Sequence, residues 1–474
     1  MRYLFVFLFV FSLAACGDSD KGGTSSANQP ARLGHVGQWF VDDKGRVVVL
    51  YGINMVRKRE TYAPSDWGFD EDDIEYIAAQ GFNTLRLGFT WKGLEPNPSE
   101  YDREYLRKIM DTARLAGEAG LWVLLDFHQD MYNEKYQGQG VPDWAVIDDG
   151  VPLGILENHP DNYWNSPALS RAYENLWNNA SGPDGRGLAD ALASAWGEIA
   201  REAKGLPGLL GYDLMNEPWP GDRWAECAIP GITCPEVDLL LYNAQRASMR
   251  AIREHDSRSM VFYEPWVMFN HGVDTAMPDF EDDLAGFSYH KYCLFSEEGC
   301  HTEVMANAVR RSEETGDALL LTEYLDLGLG FQTAMIESFA SRQFWAWRAY
   351  DCCYREYGVI HRLGEPPTPD NLDQNLLDLI VQPNSRAIAG TPIAASYDFE
   401  DKRYTLEYSP VPISGGSPPD TGWTTEIFVP QRHYPLGYVV EVTNGTVASE
   451  KDAPLLIVQA VSMAERVSVT VTPR

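Results

Sequence analysis

A chain of 474 residues, 44% hydrophobic and 12% aromatic, is long enough to bury a large core and to hold more than one domain. That composition excludes a coiled coil, a collagen and a disordered chain. A formal charge of -31 repels nucleic acid and anionic membrane surfaces and suits a neutral substrate, but leaves the reaction open.

The chain starts with a basic residue, Arg2, followed by an almost wholly apolar run from Tyr3 to Ala14. The run is too short to span a bilayer, so residues 1–15 read as an export signal. It ends in Leu13-Ala14-Ala15-Cys16-Gly17, which resembles the lipobox of bacterial lipoproteins. Cys16 is then the lipidated N-terminus, and residues up to 35 form a flexible tether rich in Gly, Ser, Asp and Asn. The expectation is an exported protein, anchored to a bacterial membrane through that lipid or secreted.

From residue 36 to 383, short apolar runs alternate with amphipathic stretches. Strands are expected at Val47-Asn54, Thr84-Gly88, Val123-Phe127, Gly211-Met215, Val261-Tyr263, Gly286-His290, Leu319-Thr322 and Gln343-Trp347. Helical patterns lie between them, at Glu71-Gln80, Glu104-Ala119, Leu188-Lys204 and Val237-His255. Eight strands alternating with helices predict an α/β fold, a (β/α)8 TIM barrel. An open doubly wound sheet is the competitor, but the Gly-x-Gly-x-x-Gly phosphate loop expected of it is missing. From 384 to 474 the texture changes to strand-like alternation with turn signals at Gly415-Gly416 and Asn444-Gly445, which predicts a C-terminal antiparallel β-sandwich domain.

Apart from Cys16 there are six cysteines, an even number in an exported chain, which points to disulfides. Cys227 with Cys234 and Cys293 with Cys300 are candidate local bridges. Cys352 and Cys353 either form a vicinal bridge or pair elsewhere. No Cys-x-x-Cys pair or His-Glu-x-x-His cluster occurs, so no metal or cofactor is expected. A serine hydrolase is disfavoured by the absence of a Gly-x-Ser-x-Gly elbow.

In such barrels the active site lies at the carboxyl ends of the strands. Strand 4 runs into Asn216-Glu217-Pro218, and strand 7 into Thr322-Glu323-Tyr324. A carboxylate at the end of an apolar strand is costly without a role. Two of them supply what glycoside hydrolysis needs, one group to protonate the leaving oxygen and one to attack the anomeric carbon. The pair alone leaves those roles interchangeable. Strand 2 contributes Arg86, suited to orienting a carboxylate. Strand 3 contributes His128 and Asp130, strand 6 His290 and Tyr292, and strand 1 is followed by Lys58. Trp345 and Trp347 have the period-two spacing that puts both on one face of strand 8, where one stacks under sugar.

These residues resemble glycoside hydrolase family 5, with Asn216-Glu217-Pro218 the most specific piece. Within it the chain is most similar to the endoglycoceramidases, on four stretches: Gly52-Ile53-Asn54-Met55-Val56 with Lys58, Asp126-Phe127-His128-Gln129-Asp130, Pro142-Asp143-Trp144-Ala145, and Tyr212-Asp213-Leu214-Met215-Asn216-Glu217-Pro218. The resemblance implies retaining cleavage of the β-bond between glycan and ceramide in glycosphingolipids, with Glu217 as acid/base and Glu323 as nucleophile. It implies that Lys58, His128, Asp130, Asn216, Tyr292 and a strand-8 Trp hold the sugar next to ceramide. Trp144, Trp219 and Trp224 are candidate walls for lipid or sugar. The alternatives are a β-glycanase of the same family, of endoglucanase or mannanase type, a β-glycosidase restricted to galactosyl- or glucosylceramide, and a tethered carbohydrate-binding protein without turnover. The sequence does not address the oligomeric state.

Overall fold

The protein is described from a computed structural model, covering residues 31–157, 160–229, 232–293, 300–348, 358–419, 422–461 and 463–474. Cys16, Cys352 and Cys353 lie outside the described residues.

Eight parallel strands close into a barrel: Tyr51–Met55, Thr84–Phe89, Trp122–Phe127, Leu209–Asp213, Met260–Tyr263, Ala285–Lys291, Ala318–Tyr324 and Arg342–Phe344. Each is almost entirely buried, as strands covered on both faces must be. Small residues allow close approach between strands. A Cβ on Gly211 of the fourth strand would come within 2.1 Å of the Met260 carbonyl on the fifth. The helices follow the 3.6-residue apolar period. Arg103–Glu118, for instance, buries Tyr105, Leu106, Ile109, Met110, Ala113 and Ala116, and its N-terminus is capped by the Asp102 carboxylate on the Glu104 and Tyr105 amides.

Most strand ends shift by one or two residues from the sequence reading, and two differences are larger. The run Val47-Asn54 is two strands rather than one. Val47–Val48 pairs with Trp39–Val41 and with Asn384–Ile388, and only Tyr51–Met55 enters the barrel. The eighth strand stops at Phe344, short of the tryptophans.

The C-terminal domain is two antiparallel sheets. One holds Thr391–Asp398, Arg403–Ser409, Tyr438–Thr443 and Val467–Pro473; the other joins Asn384–Ile388, Thr425–Phe428, Gly445–Val447 and Leu455–Ala460 to the N-terminal strands Gly34–Val36, Trp39–Val41 and Val47–Val48. The sandwich therefore borrows its edge from the start of the chain. Its core, centred on Leu406, Tyr404, Val458 and Val469, also takes in Ile336 and Phe339, which adjoin the helix after the seventh barrel strand.

A chain ending at Pro383 should lose the cover of Val47, Ile336 and Phe339 and the partner of Val47–Val48. The expected result is aggregation on size exclusion, or a lower melting temperature than the full chain. A monomeric barrel with an unchanged melting temperature would show that the two domains are energetically separate.

Candidate active site

The floor of the barrel mouth is built around Arg86 in the middle of the second strand. The residue is fully buried. Its Nε donates to Asp213 (2.8 Å), Nη2 to Asp126 (2.9 Å) and Asn216 (3.1 Å), and Nη1 to Glu323 (2.6 Å) and the Asn54 side-chain oxygen (3.2 Å). Burial opposes its charge, but the surrounding carboxylates outweigh this and hold the guanidinium more firmly protonated than usual.

Glu323 lies within the seventh strand, at a register irregularity between Leu321 and Glu323 against the sixth. A local irregularity of this kind re-aims a side chain. Besides Arg86, Glu323 accepts a hydrogen bond from the Tyr292 hydroxyl. Burial and the neighbouring Glu323 push the Tyr292 phenol well up, so it stays a donor.

Glu217 follows the fourth strand in a tight turn at φ 45°, the left-handed region that non-glycine residues seldom occupy except at functional sites. The Gln129 side-chain amide pins this turn by donating to the carbonyls of Asn216 (2.7 Å) and Glu217 (2.9 Å). Glu217 Oε1 accepts from Asn270 Nδ2 (2.8 Å) and faces His290 Nδ1 at 2.9 Å. One carboxylate oxygen of Glu217 and one of Glu323 lie within 4.8 Å of each other and of a His290 ring nitrogen. Inverting pairs stand roughly 6.5 to 9.5 Å apart to admit a water, and retaining pairs about 5 to 5.5 Å. The observed spacing is on the retaining side.

His128 is buried. Its Nδ1 sits 2.7 Å from Asp126, and its ring stacks on Trp345 at 5.4 Å. Burial works against its charge, but Asp126 prevails and raises its pKa. Lys58 forms an ion pair with Asp130 (2.6 Å) and lies 4.4 Å over the Trp345 ring. Gln139 donates to the same Asp130 carboxylate. Lys58 and Gln139 also line a polar cleft of about 1200 Å³, which continues past Tyr62, Lys92, Glu134 and Asp143.

The structure thus gathers Lys58, Arg86, His128, Asp130, Asn216, Glu217, His290, Tyr292, Glu323 and Trp345. Trp347 does not join them. It is fully buried, and its Nε1 donates to Asp73 (3.2 Å) behind the barrel wall. The period-two reading fails there because the pleat ends at Phe344, before the pair. Trp219 is also buried, with its Nε1 directed at Ser170, and carries Trp224 stacked on it at 5.9 Å. Trp144 donates to the Glu95 carbonyl. The two seven-residue cysteine pairs are closed as disulfides, Cys227–Cys234 and Cys293–Cys300. The structure adds five residues to the floor: Asn54, Asp126, Asp213, Glu264 and Asn270. Asp126 and Asp213 are acids at strand ends, a signal present in the sequence. Glu264-Pro265 follows the fifth strand as Glu217-Pro218 follows the fourth, which is also legible in the sequence. Nothing in the sequence around Asn270 marks it.

A (β/α)8 barrel with two close carboxylates at the ends of strands 4 and 7, set among polar and aromatic side chains, defines a glycoside hydrolase. Comparison with known proteins makes this narrower: residues 41–326 match the cellulase family, glycosyl hydrolase family 5, and residues 383–472 match the family 5 C-terminal domain. The chain belongs to glycosyl hydrolase family 5. Among its relatives, endoglycoceramidase I of Rhodococcus hoagii (strain 103S) is 28% identical over 90% of this chain and 85% of its own length. An endoglycoceramidase of Hydra vulgaris is 28% identical over 85% of this chain and 81% of its own. A solved structure of endo-glycoceramidase II from Rhodococcus sp. in complex with ganglioside GM3 is 26% identical, with a TM-score of 0.73, covering 92% of this chain and 99% of that one.

Arg86→Met leaves three carboxylates without their buried cation, so it should destabilise the fold by about 3–5 kcal/mol as well as abolish hydrolysis. Urea unfolding monitored by tryptophan fluorescence checks the stability; a loss below about 1 kcal/mol would contradict the central role of this residue.

Proposed function

We propose that this enzyme is an endoglycoceramidase, cleaving the β-bond between an intact oligosaccharide and ceramide with net retention. The observation that carries this reading is the cleft of about 1200 Å³ whose wall residues Lys58 and Gln139 both contact Asp130, while Lys58 also lies over Trp345. A single sugar does not need that space, whereas a glycan chain released whole does. The relatives named endoglycoceramidase support the ceramide side of the bond.

In this reading Glu323 attacks the anomeric carbon. Arg86 and Tyr292 hold its carboxylate in line and keep it from swinging toward Glu217. Glu217 protonates the departing ceramide oxygen and then, as a base, activates the water that hydrolyses the glycosyl-enzyme. Asn270 and His290 both address Glu217 Oε1, so the transferable proton belongs on Oε2. Trp345, braced by His128 and Lys58, offers its face to the sugar, while Asp130 and Asn216 offer acceptors and donors to the hydroxyls.

The test is incubation with lactosylceramide or a ganglioside against a soluble β-glucan, with the products resolved by mass spectrometry and the anomeric form by NMR. Release of intact glycan in the β-form is expected; activity on glucan alone would sink the proposal, and trimming of single sugars would favour the galactosyl- or glucosylceramide-restricted reading. Glu323→Gln should lose essentially all turnover while still binding substrate. Glu217→Gln should lose about 10²–10⁴-fold on the natural glycolipid but far less on an aryl glycoside whose leaving group needs little acid help. A protein that only bound carbohydrate would show no turnover to lose.

The same proposal places the enzyme at a bacterial membrane through lipid on Cys16, where its substrate class resides. The Leu13-Ala14-Ala15-Cys16 sequence and the polar tether after it support this. Expressed in a bacterium fed labelled palmitate, the full chain should take up label in the membrane fraction, and Cys16→Ala should not. Equal labelling of both would rule out this anchor.

A further inference from the structure

Glu264 follows the fifth strand and is buried, with no access to the cleft. Its backbone is fixed at both groups by one side chain: Gln245 Nε2 donates to the Glu264 carbonyl (2.7 Å), and the Glu264 amide donates to Gln245 Oε1 (3.1 Å). The carboxyl is therefore aimed inward by design of the fold. Its Oε1 accepts from the Glu217 amide (3.2 Å) and lies 3.4 Å from His290 Nε2. Its Oε2 and His290 Nε2 are both buried and have no hydrogen-bond partner among the described residues. The carboxyl oxygen nearest to that buried, unpaired nitrogen is Glu264 Oε1, at 3.4 Å, which calls for a proton between the imidazole and the carboxyl group.

The opposite edge of the same imidazole decides where that proton sits. His290 Nδ1 faces Glu217 Oε1, the oxygen that already accepts from Asn270. If Nδ1 were the bare nitrogen, it would take Glu217's own acidic proton into a hydrogen bond and withhold it from the leaving group. If Nδ1 carries the hydrogen, Glu217 Oε1 receives a second donor and its proton is left on Oε2. A neutral imidazole has one N–H, so the second arrangement leaves Nε2 bare and in need of a donor.

We propose that Glu264 is a positioning residue for the acid/base step: held as the neutral acid, it donates to His290 Nε2, fixes the imidazole as the Nδ1–H tautomer, and so keeps the transferable proton of Glu217 on the oxygen facing the substrate. No proton passes through His290 in this scheme; Glu264 only sets which nitrogen holds the hydrogen. The surroundings agree with the neutral forms. The groups facing Glu264 are Asp213 of the fourth strand, Arg86 of the second, Glu217, His290 of the sixth and Glu323 of the seventh. Burial is the main cause of its raised pKa, followed by Asp213; Arg86 opposes the rise, and Glu217 and Glu323 add to it. Burial brings His290 down to about 3, so the ring is uncharged at neutral pH.

This inference rests on Glu217 being the acid, which the aryl-glycoside comparison of Glu217→Gln tests separately. For Glu264 the decisive variants are Leu and Gln. Glu264→Leu removes the donor, and should cost about 10²-fold or more in kcat/KM on the glycolipid but much less on an aryl glycoside. Glu264→Gln retains a neutral donor of the same shape, and should recover most of that loss and preserve the alkaline limb of the pH–rate profile. The 15N shifts of His290 should report the Nδ1–H tautomer in the parent and in Glu264→Gln, and a change of tautomer in Glu264→Leu. The proposal is overturned if Gln is as damaging as Leu, since an ionised carboxylate would then be the working form. Equal loss on both substrates in a folded Leu variant, or an Nε2–H tautomer in the parent, overturns it as well.

Discussion

A guanidinium with no access to water, placed at the centre of the barrel mouth, sets the terms for everything around it. Arg86 must be surrounded by acceptors, since an unpaired buried charge costs several kcal/mol, and it must be surrounded from several directions because its five N–H groups diverge. The barrel is the architecture that delivers this. Parallel strands bring Asn54, Asp126, Asp213, Asn216 and Glu323 together from four different segments of the chain. Glu323 is thereby part of the charge balance of the fold and not a side chain added to it.

The same constraint leads to the protonation pattern. Asp126, Asp213, Glu217, Glu264 and Glu323 crowd a small volume with Arg86 as the buried cation among them. Not all of these carboxyls can ionise together. Asp213, mainly through burial and against the pull of Arg86, is raised to about 6, and burial lifts Glu264 well above the usual carboxylate range. Glu323 shares direct contact with Arg86 with Asp126 and Asp213.

Stiffness of the site has a second source outside the barrel. The sandwich shares its core with Val47, Ile336 and Phe339, so the segment before the first barrel strand and the helix between the seventh and eighth are tied to a second domain. Trp345 is held differently, between His128 and Lys58, past the end of the regular strand.

The sequence by itself determined the alternation of strands and helices, the two glutamates at matching strand ends, and the Arg, His, Lys and Tyr that accompany them, because strand periodicity and a polar residue closing an apolar run are local signals. It also marked the two short disulfide loops, seven residues apart being a local distance too. Only the tertiary structure separated Trp345 from Trp347, since that depends on where the pleat stops. It alone drew the N-terminal strands into the sandwich, through a pairing of Val47–Val48 with residues more than three hundred positions away. It alone disclosed Asn270, and it alone showed what faces Glu264 across the barrel. A single sequence records which groups are present along the chain, whereas the charge balance that sets their protonation is a property of strands brought side by side from distant segments.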